Sequence, residues 1–360
     1  MMRIGTSRPG RGRIVAHARA ITRAAFAAWG LCLAAPPAVA ATLDDVITTP
    51  NFDYDVRFTN DNPYNCAAPP ANPDTDYFPT AQAQNAADAL DNDDAPAAGN
   101  PNGYHAGYVG LGFLAADYDG ADDEVFVSDC APGCDSGNAP ADRINLPTSI
   151  YCTSSERNIR RVMGHEHFHH TQYSYITFGQ WLNWGRTAIE GTARMMEDQV
   201  YADIDGDPAM SFLNEAGNYL GNPNQDFWAA SYRAALGWKY AAERYGNESA
   251  EPQVGVDFIR RFWENAQANN ASPDTPGTFD QTVRQFDNRS SAKDWFHDFS
   301  ITNVAREYDV TGLVDGAKYR YVDENDGNGT VFADVPRTWS GFVPGPRVAT
   351  TSVTRWGARY

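Results

Sequence analysis

A histidine cluster set on a helical repeat constrains this chain more than any other feature: four of its seven histidines fall between positions 165 and 170. The apolar residues just before it, Ile159, Val162 and Met163, recur at helical spacing. His165 and His169 are therefore predicted to stand one turn apart on one face, where a single metal ion reaches both. Glu166 follows the first of them and is placed to take a proton from a water that the metal activates, which is the logic of an H-E-x-x-H helix. Zinc fits neutral imidazoles and a carboxylate, and lowers the pKa of bound water toward about 7. His167 and His170 point elsewhere on the helix and read as packing or surface residues. The plainer alternative for the whole cluster is a solvated set of histidines.

Two histidines do not complete a catalytic zinc site, which needs a third protein ligand. Metzincin peptidases place a glycine and a histidine where this chain has Gln172 and Tyr175, so a downstream carboxylate is required. The segment after Trp184 supplies one on a second helical repeat, with Glu190, Ala193, Arg194 and Glu197 on a common face. Here the chain resembles the gluzincin metallopeptidases. Their ligand glutamate lies about twenty residues past the second histidine, often in an E-G-x-A context after a tryptophan. Glu190 stands 21 positions after His169 in Glu-Gly-Thr-Ala. The resemblance therefore implies that Glu190 is the third ligand, and that Glu197 buttresses a ligand histidine.

The same resemblance covers about residues 145–240 and implies zinc-assisted hydrolysis of peptide bonds in a peptide or protein substrate. Two departures matter: Arg194 stands where thermolysin-like members carry an acidic residue, and the amine-binding G-x-M-E-N motif of the aminopeptidases is missing. An endopeptidase is the reading that remains. Gluzincins also supply a tyrosine or histidine to steady the oxyanion, and Tyr232, in a Ser-Tyr-x-x-Ala context, matches that position, with Tyr240 and Tyr245 as competitors. His105, in a glycine-rich loop, and His297, between aromatics in a helical segment, read as ordinary. The rival from another class is an extracellular binding or surface-structural protein with a vestigial metal site.

Residues 1–40 read as a signal peptide: an arginine-rich start, a short apolar run and a small-x-small ending at Ala38-Val39-Ala40. About a dozen apolar residues are too few to span a membrane, which takes roughly 20. The formal charge is −18; removing the leader's six arginines leaves 22 basic against 46 acidic residues, a balance of −24. Such a surface repels phosphate backbones and anionic lipid, so neither nucleic acid nor, after signal cleavage, a membrane is expected as a partner. Export to the extracellular space or periplasm gives the remaining cysteines, Cys66, Cys130, Cys134 and Cys152, an oxidising setting. Two disulfides follow, with Cys130–Cys134 and Cys66–Cys152 favoured because the first pair is local; a structural zinc site is the rival.

The mature chain divides into a β- and loop-rich part (residues 41–149), a helical zinc-binding catalytic part (150–308) and a short β-rich C-terminal stretch (309–360). Strands are expected at residues 108–115, 124–127 and 149–152, the last as an edge against which a peptide is laid, and the alanine-rich stretch 80–100 as an exposed loop or short helix. Acidic runs at 117–124, 203–207 and 323–329 resemble calcium loops without completing one, so Ca2+ is a possible second ion. The fold class expected is α+β, zincin-like, with a small mixed sheet followed by a mainly helical subdomain.

Overall fold

The computed structural model describes residues 45–59 (except 53), 79–91, 103–118, 124–127, 139–147, 150, 156–201 (except 198), 212–249, 253–305, 321 and 356–358. The architecture is α+β and mostly helical. Among the described residues its sheet has four short strands in the order β1 (Asp45–Thr48), β2 (Asp55–Phe58), β3 (Glu124–Val127), β4 (Arg143–Leu146). The first pair is antiparallel and the next two are parallel, so the sheet is mixed and β4 is an outer strand. Alternation fixes which face is covered. Val56, Val125 and Ile144 align across three strands, and all are fully buried together with Val127 and Leu146.

Two helices cross between β2 and β3, as a parallel pairing requires. In α1 (Thr80–Leu90) the buried residues are Ala83, Ala86, Ala87, Ala89 and Leu90. Small side chains let this helix lie close against α3 (Glu156–Tyr173). The start of the alanine-rich stretch is thus the short helix, one of the two expectations, though packed into the core rather than exposed, and residues 92–100 lie outside the described residues. The segment 108–115 is not a strand either: α2 (Gly103–Gly110) occupies its start and ends at the turn around Gly112. Tyr104 and Tyr108 of α2 are buried and point at α3. Burying two large rings there, about 1.5–3 kcal/mol each, outweighs the local strand preference.

Every residue of α3 from Arg161 to Tyr173 is buried although the helix is strongly polar. Its polar groups must therefore find partners inside the protein. The strand that precedes it is β4 rather than residues 149–152, of which only Ile150 is described, and it is helical. Next come α4 (Phe178–Trp181), α5 (Arg186–Met196), α6 (Phe212–Gly221), two 3-10 turns (Phe227–Ala229 and Ser231–Ala234) and α7 (Ala235–Tyr245). The segment 226–240 is not one helix: its two 3-10 turns meet at Ser231, whose φ of 51° is left-handed, before α7 begins. Helices α8 (Val256–Ala268), α9 (Thr275–Phe286) and α10 (Ala292–Ala305) complete the helical part, each packed on its neighbour in the chain. Ile259, Phe262, Trp263 and Ala266 form the buried stripe of α8 at helical period. The leader, the four cysteines, nearly all of the three acidic runs and most of residues 309–360 lie outside the described residues.

Candidate metal centre

Helices α3 and α5 pack face to face and bring His165, His169 and Glu190 together, all three buried. Gly191 permits that approach on the other side of α5. A Cβ there would sit 2.8 Å from Trp238 Cδ1 and 3.1 Å from Ala234 Cβ, so α7 and its preceding turn close down on the helix only because the side chain is absent. Trp238 then donates its indole N–H to the Thr187 carbonyl at 2.7 Å. The Glu-Gly pairing thus has a packing cause.

The facing atoms are the Nε2 atoms of His165 and His169, which stand 3.3 and 3.4 Å from Glu190 Oε2. Two ligands each about 2.0–2.1 Å from a tetrahedral zinc stand about 3.3–3.4 Å apart. The protons decide what such a group wants. His165 Nδ1 lies 2.9 Å from Glu197 Oε1, an ionised carboxylate that only accepts, so Nδ1 carries the hydrogen. His169 Nδ1 lies 3.0 Å from Gln172 Oε1. That atom is fixed as oxygen because the Trp181 indole, which can only donate, reaches it at 2.9 Å, while the Gln172 amide nitrogen donates to the Ile189 carbonyl at 3.0 Å. With Nδ1 carrying a hydrogen, the neutral form of each ring turns a lone pair at Nε2 toward a carboxylate oxygen. Three electron pairs converge in a buried space, an arrangement that calls for a cation. The residues fit zinc.

The surroundings hold these charges in place. Burial pushes the Glu190 carboxyl up, but the two facing histidines, which donate to it whenever their Nε2 atoms are protonated, outweigh burial and hold the group well below the usual carboxylate range. Arg186, four residues earlier on α5, pairs with the other oxygen, Oε1, and so leaves Oε2 facing the histidines. Glu197 is buried too, yet Arg194 at 2.6 Å and Arg161 at 3.4 Å bring it down to about 2. Arg194, the departure noted in the sequence, neutralises the carboxylate that orients His165.

Glu166 is buried beside the three ligands. Burial pushes its carboxyl up to about 8, with the Glu190 charge adding to the rise and His169 opposing it. Tyr232 comes from the 3-10 turn Ser231–Ala234; its ring centroid lies 5.6 Å from that of His165, and its hydroxyl bonds Glu190. Burial and the Glu190 and Glu166 carboxylates raise its phenol far above the ordinary value, so the group stays a proton donor. Arg194 lies over the same ring, 5.1 Å from its centroid. Tyr240 and Tyr245, the competing tyrosines, pack instead against Phe299 and Phe258.

His167 and His170 point away from the centre, as their positions on the helix imply. Tyr118 hydrogen-bonds His167 Nδ1 at 2.8 Å and stacks on His170 at 3.7 Å between centroids. His105 is helical rather than in a loop, and touches Tyr54, Phe52 and His167. His297 is exposed beside Asp298. Sequence reasoning missed Gln172, Trp181 and Arg186, although Gln172 at three residues from His169 and Arg186 at four from Glu190 are the spacings at which helical side chains meet. No family model matches the chain, and neither a curated protein nor a solved structure does.

Proposed function

We propose that this chain is a secreted zinc-dependent peptidase, an endopeptidase of zincin-like fold, in which His165, His169 and Glu190 hold the metal. The observation that carries this reading is the meeting of two imidazole Nε2 atoms and a carboxylate oxygen in a buried space, with the outward nitrogens of both rings already committed to Glu197 and Gln172. Zinc held there supplies a Lewis acid and brings the pKa of water toward about 7.

The other roles belong to the chain. Glu166, buried beside the three ligands, would accept a proton from the attacking water and return it to the departing amine. The protonated Tyr232 hydroxyl donates to the oxygen on which negative charge develops. Outer strand β4, next to α3, offers an edge for an extended peptide. Among the described residues no helix is long and apolar enough to cross a membrane.

Metal analysis of the purified protein, paired with cleavage of a peptide library, tests this. Cleavage should vanish with a chelator and return with zinc, and Glu166→Gln should keep stoichiometric zinc while losing about 10²–10⁴-fold in rate. A protein that binds zinc and cleaves no peptide, or a Glu166→Gln variant of full activity, overturns the reading.

A further inference from the structure

A cavity of about 310 Å³ opens one ring away from the metal centre, with Asp117, Ala141, Tyr173 and Phe178 among its walls. The link is Trp181. Its ring lies 5.5 Å from His169, and those of Tyr173 and Phe178 lie 5.6 and 6.0 Å from Trp181, centroid to centroid. The walls are firmly held. The Tyr173 hydroxyl donates to the Ala139 carbonyl at 2.6 Å, and Thr177 and Gln180 form a capping box around the start of the helix that carries Phe178. The Asp117 backbone N–H donates to the His170 carbonyl at 3.0 Å, which ties that segment to the metal helix, and the residue itself is exposed.

The chemistry of the lining is one-sided. Two aromatic rings and the Asp117 carboxylate stand among the small residues Ala141, Thr177 and Gly179, and among the described residues no lysine or arginine lines the space. Ring faces and a carboxylate both attract a cation, and the apolar part of a long basic side chain packs on the rings. The volume suits one extended side chain with a little backbone, at the small end of ligand pockets. The acidic balance of the whole chain works in the same direction.

We propose that this cavity is a subsite for a lysine or arginine side chain of a peptide, so that cleavage falls within a residue or two of a basic position. The proposal rests on the peptidase reading, but its binding test does not. The test uses acetylated, amidated hexapeptides that differ only in one central residue: arginine, lysine, norleucine or glutamate. Calorimetry with the full-length Glu166→Gln protein, with and without added zinc, measures binding without turnover, and the native protein is assayed for cleavage of the same set. The arginine and lysine peptides should bind about tenfold tighter than norleucine, with glutamate weakest. Asp117→Lys should abolish or invert that order, while its thermal unfolding stays at the parent value. Equal binding of all four peptides, or an unchanged order in Asp117→Lys, overturns the subsite. A basic preference that Asp117→Lys removes, in a protein that cleaves none of the set, upholds the subsite and counts against the peptidase reading alone.

Discussion

His165 and His169 leave α3 toward α5, whereas His167 and His170 leave the same helix toward Tyr118 and the carbonyls of Asp117 and Arg143. All four are almost completely buried, within six residues of one another. The first pair meets Glu190, Glu197 and Gln172. The second meets rings and backbone carbonyls, and among the described residues no carboxylate is hydrogen-bonded to either imidazole. Burial drives His167 well below its ordinary value, with His105 and His170 adding to the effect, and brings His170 down to about 4 against the pull of its two carbonyl contacts. A neutral imidazole has one N–H, so His170 serves one of those carbonyls at a time. What separates the two pairs is therefore the acceptor opposite each nitrogen. One side of the helix presents electron pairs to a common point, and the other spends them on packing.

That contrast can be broken from either side. Glu190→Ala has the largest expected effect: it removes the carboxylate from the point of convergence, so zinc should be lost on dialysis and hydrolysis fall to background. Unchanged stoichiometry by atomic absorption would mean that the third ligand lies elsewhere. Tyr232→Phe deletes only a hydroxyl and should lower kcat about 10²–10³-fold with zinc content unaltered; wild-type kcat removes that tyrosine from the reaction. Gln172→Leu frees the His169 ring and should weaken zinc binding about 10–100-fold in a competition titration with a chelating dye. If affinity holds, the amide does not set the tautomer. His167→Phe should change neither zinc affinity nor kcat, and should cost about 1 kcal/mol in urea unfolding through loss of the Tyr118 hydrogen bond. A drop in zinc affinity there would erase the distinction between the two pairs.

The metal helix was legible in the sequence because histidines four apart on a helical repeat share a face whatever packs around them. Glu190 was found by resemblance, and its geometry with Gly191 shows the local reason for that two-residue pattern: the ligand needs a helix with one bare side. The strand at 124–127 announced itself as a short apolar patch between turn clusters. Residues 108–115 misled, because Tyr108 earns its place through bonds to the Gly164 and Met196 carbonyls, partners 56 and 88 residues away that no local window contains. The alanines of α1 misled for a related reason. Composition reads them as weakly apolar filler, but their smallness is what lets α3 approach. The outer partners Gln172 and Arg186 were within reach of a spacing argument and were hidden only by attention to ligand motifs.

Tyr104 closes this arrangement, its hydroxyl donating to the Glu197 carbonyl at 2.6 Å across 93 residues of chain. Gly164, immediately before His165, leaves room for its ring. Such distant closures carry a loop entropy that grows with chain length and slow the search for the native state. The Glu197 residue that meets His165 through its side chain is thus also fastened through its backbone to the N-terminal segment, so a change at Tyr104 should reach the His165 ring without touching any of the residues around it.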